Sequence, residues 1–170
     1  MPEKHRRYFL KEREAKALLT KASERLGLDL EQFFKRKVDL EVVETDFAEI
    51  FLVNGEPLLA KKEESIYPTL VFNGYFAIAP KVVVDMGAIP YVCKGANVMA
   101  PGIRRYEREF KKGALVFVVD EKHGKALGVG EVLYDSEEAR KVKQGVVIKN
   151  VHFVGDKTWN FIKEFMTKSQ

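Results

Sequence analysis

The sequence predicts an α+β protein built as two units, a small mixed helix-and-sheet domain followed by a small, partly open barrel. Three observations lead there. Residues 13–26 carry apolar side chains at helical spacing, and from Val38 onward the pattern changes to short apolar runs bounded by turn residues. The later strand-like runs are joined by glycine-rich turns, the signature of a small barrel. The chain has 170 residues, 46% of them hydrophobic, enough for one generous core or two small ones.

Ala15, Ala17, Leu18, Leu19, Ala22 and Leu26 mark the apolar face of the first helix, and Gly27 bounds it. Residues 28–34 predict a short second helix or turn, followed by the basic step Lys35, Arg36 and Lys37. VDLEVV, AEIFLV and PLLA then read as three strands, with Asn54-Gly55 as a hairpin turn because both residues tolerate positive φ. Residues 67–72 predict a further strand beginning near Pro68. The stretch FNGYFAIAP crosses to the second half without a Gly/Ser linker, so the two units are expected to pack on each other.

In the second half, residues 81–84 predict a strand, and Asp85 is placed to cap a short helix running toward Val92. CKGANVMAPGIRRY follows, with NVMA as a strand between Gly95 and Gly102. ALVFVV and KALGVGEVLY predict two strands joined at DEKHG, where Asp120 and Gly124 favour a tight turn. DSEE predicts a turn or one helical turn, GVVIKNVHFV a strand, and the chain closes in a helix from Asp156 with Trp159, Phe161, Ile162 and Phe165 as its apolar side chains.

Composition narrows function. No apolar run reaches membrane-spanning length and no apolar signal core leads the chain, so a cytoplasmic protein is expected. The single Cys93 excludes an intramolecular disulfide, and with three scattered histidines it argues against any structural metal; no cofactor is expected. The net charge is +4. Residues 1–80 hold 13 Lys and Arg against 14 Asp and Glu, net -1, and residues 81–170 hold 16 against 11, net +5, so the basic excess belongs to the second half.

Catalytic readings fare poorly. Cys93 with His152 as base has no local support, and Asp120, Glu121 and Asp135 fall at turns, where they read as solvated loop residues. The glycines at 95 and 102 match neither a phosphate-binding loop ending in Gly-Lys-Ser/Thr nor a dinucleotide fingerprint. They read instead as two bends that let backbone approach an external partner. Arg104, Arg105 and Arg108 lie just beyond, and Tyr106 offers a ring for stacking on a base. The composition leaves a second reading open, in which these arginines pair with Glu107 and Glu109 in solvent.

VDMGAIPYVCKGANVMAPGI, FKKGALVFVVDEKHGKALGVGEV and KVKQGVVIKNVHFVGDKTW together resemble a PUA domain, the RNA-binding barrel of pseudouridine synthases and archaeosine transglycosylases. The resemblance covers residues 80–155. The whole chain is similar to the malignant T-cell-amplified sequence family, in an archaeal form, with a pre-PUA domain at 1–75 packed on the PUA pseudo-barrel and a C-terminal helix at 156–170 packed on that barrel. An archaeal source also suits the high Lys and Glu content.

The resemblance implies a non-enzymatic RNA-binding protein of translation that contacts the small ribosomal subunit or the acceptor end of tRNA in initiation, reinitiation or recycling. It also implies a partner of the density-regulated protein type. Carried onto this sequence, the RNA-binding residues are Lys94, Gly95, Ala96, Asn97, Val98, Pro101, Gly102, Arg104, Arg105 and Tyr106, with Lys143 and Lys149 adding phosphate attraction. The segment 104–110 is shorter than the insertion of eukaryotic members. Two other readings remain. One is a protein-interaction adaptor with weak RNA affinity, motivated by Phe33, Phe34, Phe47 and Phe51 in the nearly neutral first half. The other is a tRNA-modifying enzyme, for which residues 1–75 offer no acid, base or nucleophile constellation.

Overall fold

The computed structural model describes residues 5–168 and divides the chain into two compact units, one ending at Phe72 and the other beginning at Asn73. The first is an antiparallel meander of β1 (Arg6–Phe9), β2 (Leu40–Glu44), β3 (Glu49–Val53), β4 (Glu56–Lys62) and β5 (Ser65–Pro68), in sequence order. Two helices, α1 (Glu12–Leu26) and α2 (Leu30–Phe34), lie between β1 and β2 in the chain. α1 buries Leu18, Leu19, Ala22 and Leu26 along one face, and Gly27 ends it in the left-handed conformation (φ 74°). Asp29 caps α2 by accepting the amides of Glu31 and Gln32 at 3.0 and 3.3 Å. Asn54 and Gly55 take φ 50° and 87°, the turn that joins β3 to β4.

Two features of this unit differ from the sequence reading. The strand expected from Pro68 onward ends there instead: β5 runs from Ser65 to Pro68 at the edge of the sheet. Thr69 still donates its amide to the Leu58 carbonyl at 2.9 Å and its Oγ1 to the Pro57 carbonyl at 2.7 Å, and residues 70–72 then turn away, the Phe72 amide donating to the Thr69 carbonyl at 3.1 Å. Leu70 and Phe72 are apolar because they are buried, not because they pair. β1 was hidden in a charged segment. It is held by polar cross-strand pairs, Arg7 with Glu41 at 2.7 Å and Tyr8 Oη donating to Glu44 at 2.6 Å, and such an edge strand shows no apolar alternation. Phe33, Phe34 and Phe72 form one aromatic cluster, and Phe51 is buried.

The second unit comprises α3 (Asn73–Phe76), β6 (Lys81–Val84), α4 (Ile89–Val92), β7 (Val98–Met99), β8 (Ile103–Glu107), β9 (Leu115–Asp120), β10 (Ala126–Val132), α5 (Ser136–Ala139), β11 (Val146–Phe153) and α6 (Lys157–Lys168). Residues 169–170 of the expected C-terminal helix lie outside the described residues. The strand order is β7-β11-β10-β9-β6-β8. Among the described strands only β6 and β9 pair in parallel. Val82, Val84, Val98, Val116, Val118, Val147 and Ile148 fill the interior, each fully buried aliphatic side chain contributing about 1.5–3 kcal/mol. Asp85 accepts the Ala88 amide at 2.9 Å and so starts the short helical segment that becomes α4.

Two glycines permit the close contact between β10 and β11 inside the curled sheet. A Cβ at Gly128 would stand 2.8 Å from the His152 carbonyl oxygen, and one at Gly130 would stand 2.2 Å from Ile148 Cγ2 and 3.0 Å from the Lys149 carbonyl. The β10–β11 register shifts between Val129 and Gly130, where the strands come closest. Gly102 is different, since a Cβ there would meet only Ala88 Cβ at 3.6 Å. Gly130→Ala is expected to lower stability by about 1–3 kcal/mol, whereas Gly102→Ala stays within about 0.5 kcal/mol of the parent; urea unfolding of both variants checks the contrast.

α6 begins at Asp156, whose Oδ1 accepts the Trp159 amide at 2.7 Å while Oδ2 accepts the Phe153 amide at 3.0 Å and lies 2.8 Å from Nδ1 of the fully buried His152. Burial pushes the Asp156 carboxyl up. The hydrogen bond and charge of His152 and the amides of Trp159 and Phe153 outweigh it and hold the group below the usual carboxylate range. A depressed folded-state value means stability that is present above the unfolded carboxylate value and is lost as pH falls through the folded one. Asp156→Ala is therefore expected to cost about 2–4 kcal/mol at neutral pH, from the lost cap and the stranded histidine, with a deficit that shrinks below about pH 4; urea unfolding across a pH series reads both.

Candidate nucleic-acid interface

α4 delivers the chain into a tight turn at residues 93–97. The amides of Lys94 and Ala96 donate to the Tyr91 carbonyl at 3.1 and 3.0 Å, and the Gly95 amide donates to Val92 at 3.0 Å. Gly95 takes φ 94°, and its missing Cβ would meet the Phe153 ring at 3.1 Å, so conformation and packing both require glycine. Asn150 of β11 ties this turn down. Its Nδ2 donates to the carbonyls of Val92 (3.1 Å) and Ala96 (3.0 Å), and its backbone amide donates to Asn97 Oδ1 at 2.9 Å.

The next segment is joined to the same strand. β7 pairs with β11 through Val98↔Ile148 and Met99↔Val146, and the Ala100 amide donates to the Gly145 carbonyl at 2.9 Å. Lys94, Gly95, Ala96, Asn97, Pro101 and Gly102 therefore share one border of the barrel with the segment that carries Lys143 and Lys149. Lys94 and Lys143 are exposed and make no ion pair among the described residues, and Lys149 stands opposite Glu131 in the β10–β11 ladder. Val98 contributes backbone alone, because its side chain is 3% exposed within the core.

Arg104, Arg105 and Tyr106 lie on β8, at the other end of the strand order and paired with β6. Arg105 meets Glu107 at 3.3 Å, as the ion-pair reading expected, but Arg104 meets Glu121 at 2.9 Å, and Glu109 is taken by Arg140 at 3.0 Å together with the Ser136 hydroxyl. These are exposed pairs worth about 0–1 kcal/mol, weak enough for a phosphate to displace. The Tyr106 ring, expected to stack on a base, is turned inward. It packs 5.7 Å from the Phe110 ring and donates to the Ala139 carbonyl at 3.4 Å, since parity along β8 aims it at the core.

The exposed ring at this border is Tyr91, 67% accessible, with Met99 at 48% nearby in the chain. An aromatic next to Val92 reads as core in a linear scan. The helical spacing of Ala88, Ile89 and Val92, all facing the core, is the signal that sets Tyr91 outside.

The groups weighed for catalysis are held in structural roles. His152 is engaged by Asp156, and burial pushes the half-buried Cys93 thiol up, away from the reactive thiolate. Asp120 is buried, not solvated. The amide of His123 above all, with those of Lys125 and Lys122, holds its carboxyl below the usual range despite burial and fixes the β9–β10 hairpin. Asp135 accepts the Lys112 amide at 2.7 Å. Among the described residues no group of three metal-ligating side chains occurs, and no helix is long and apolar enough to cross a membrane.

Comparison with known proteins agrees with this geometry. Residues 80–154 match the PUA domain family, and residues 6–73 match a domain of unknown function, DUF1947. The chain is 40% identical over 157 residues to the uncharacterised protein MJ1432 of Methanocaldococcus jannaschii, covering 92% of this chain and 96% of that one. It is 32% identical over 161 residues to translation machinery-associated protein 20 of Saccharomyces cerevisiae, covering 90% and 89%. The chain belongs to the family of translation machinery-associated protein 20 and the malignant T-cell-amplified sequence proteins. Among solved structures of the family's fold, the PUA domain protein of Aeropyrum pernix K1 superposes with a TM-score of 0.82 at 28% identity, over 95% of this chain and 93% of that one.

In this member of the family Asn150 carries the loop. Asn150→Ala leaves the carbonyls of Val92 and Ala96 without their donor, an expected loss of about 1–3 kcal/mol. Amide hydrogen exchange at residues 94–97 is expected to accelerate more than exchange in β9, which a uniform loss of stability would not produce.

Proposed function

We propose that this protein is a non-catalytic, cytoplasmic RNA-binding factor of translation. Its second unit holds the acceptor end of a tRNA, or an exposed rRNA strand of the small ribosomal subunit, along the border from Lys94 to Gly102. The observation that carries the reading is the coincidence, on one strand edge, of a stapled glycine turn, the unpaired cations Lys94 and Lys143 and the exposed ring of Tyr91. Lysines supply salt-dependent attraction to phosphates. Backbone at Gly95 and the Tyr91 face supply contacts to unstacked bases, the mode by which single-stranded ends are recognised.

Arg104 and Arg105 extend the positive surface after exchanging their carboxylate partners for phosphate. Membership of the malignant T-cell-amplified sequence family brings a partner of the density-regulated protein type into the same proposal, acting with this chain on the small subunit in initiation, reinitiation or recycling.

The test is binding of the purified chain to tRNA with an intact CCA end, to the same tRNA trimmed of that end, and to small subunits, across a salt series. Selective weakening on trimming is expected. Tyr91→Ala should weaken binding by about 1–3 kcal/mol, and Lys94→Ala with Lys143→Ala should flatten the salt dependence by about one to two phosphate contacts. An Arg104→Ala, Arg105→Ala variant that binds as tightly as the parent removes those two residues from the site. Absence of binding to all three RNAs at moderate salt, alongside a stable protein complex that survives nuclease, would replace this reading with that of an adaptor.

A further inference from the structure

The turn at 93–97 directs its own backbone donors inward. The amides of Cys93, Lys94, Gly95 and Ala96 donate to the carbonyls of Ile89, Tyr91, Val92 and Tyr91, at 3.0, 3.1, 3.0 and 3.0 Å. A loop that cradles a phosphate turns successive amides outward instead. Despite its glycine, this turn offers no nest of N–H groups to an anion.

One side chain of the turn has its hydrogen-bonding direction fixed. The Asn150 amide donates to Asn97 Oδ1 at 2.9 Å, and because a backbone N–H can only donate, the oxygen of Asn97 has to be the atom that meets β11. The nitrogen is left over: Asn97 is exposed, and its Nδ2 donates to nothing among the described residues. A free asparagine amide turns to suit either a donor or an acceptor. Asn97 is held as a neutral donor. The bond from the Ala96 amide to the Tyr91 carbonyl also keeps Asn97 within one residue of Tyr91, which is 67% exposed. A base laid on that ring brings its edge toward Asn97.

We propose that Asn97 reads a nucleobase: its Nδ2 donates to an acceptor atom on the edge of an unstacked base that lies on Tyr91, and the phosphates are left to Lys94 and Lys143. The inference rests on the reading of this border as an RNA site and adds to it a residue that selects by base. A phosphate fits Asn97 less well, because a single neutral donor with no outward amide beside it is a poor match for an anion that takes several donors. A base that presents an N–H or amino group at that place would set donor against donor and leave both unpaired, so it is disfavoured.

The test uses a short RNA hairpin with a single-stranded CCA end, intact or with an abasic nucleotide at one of the three end positions, titrated into the full chain and into its Asn97→Asp variant. An aspartate oxygen accepts the Asn150 amide as the asparagine oxygen does, so the turn is kept and hydrogen exchange at the Asn150 amide is expected to stay as slow as in the parent. On its outer side the variant replaces a donor by a charged acceptor. Removing the contacted base is expected to weaken binding to the parent by at least roughly tenfold. That penalty should shrink by about three- to tenfold in Asn97→Asp, while the other two positions keep theirs. The proposal is overturned if Asn97→Asp weakens intact and abasic hairpins by one common factor, the mark of a phosphate contact or of repulsion by the added charge, or if it binds all of them as the parent does. A parent that binds none of the hairpins removes the RNA reading itself, and this inference with it.

Discussion

Met99 and Ile103 stand at opposite ends of a six-strand order yet only four residues apart in the chain. Laid flat, the two edges would be separated by about 24 Å, and four extended residues reach at most about 14 Å. The sheet therefore has to curl. Curling brings the edge strands β7 and β8 toward each other, while the ladder between β7 and β11 aligns the turn at 93–97 with the segment at 140–149. Within the sheet β10 and β11 approach closely at Gly128 and Gly130, where a Cβ would collide with the neighbouring strand. The valine-rich interior follows, since a barrel this narrow holds small branched side chains.

A curled sheet leaves its loops to be fixed by polar contacts, and the conspicuous polar letters of the last strand and the turn after it do that. Asn150 holds the glycine turn, His152 and Asp156 start the last helix, and Asp120 organises a hairpin from within. Each is buried or half-buried and satisfies backbone groups that would otherwise be stranded. Residues that resemble a catalytic inventory are joints of the scaffold. The turn at 93–97 and the start of α6 are thereby each held in one arrangement.

The positive charge of the two units is arranged in different ways. Along β8 the arginines already have carboxylate partners, so an incoming anion has to compete for them. At Lys94 and Lys143, and separately at Arg36 and Lys37, the cations have no ion-pair partner among the described residues. Net charge alone would rank the second half above the first. Pairing, not the count, decides which cations are available.

Much of this was legible in the chain. Periodicity alone identified α1, the Asn54-Gly55 hairpin and the β9–β10 pair, because each is set by neighbours within a few residues. The motif letters located the glycine turn for the same reason, since Gly95 answers to local backbone conformation. The edge strands β1 and β8 were not legible. Their partners, β2 and β6, are distant in sequence, and a polar edge strand lacks the alternation that marks a half-buried one. The orientation of single rings was hidden too. Tyr106 turns into the core and Tyr91 out of it because of where β8 and α4 pack, and Phe9 stays in water beside a cleft that exists only once α1 and β2 are assembled. The sequence by itself determined the locally specified elements and the family. Tertiary structure alone decided which side chains of those elements face the core and which face solvent, because facing is a property of contacts between segments that lie far apart in the chain.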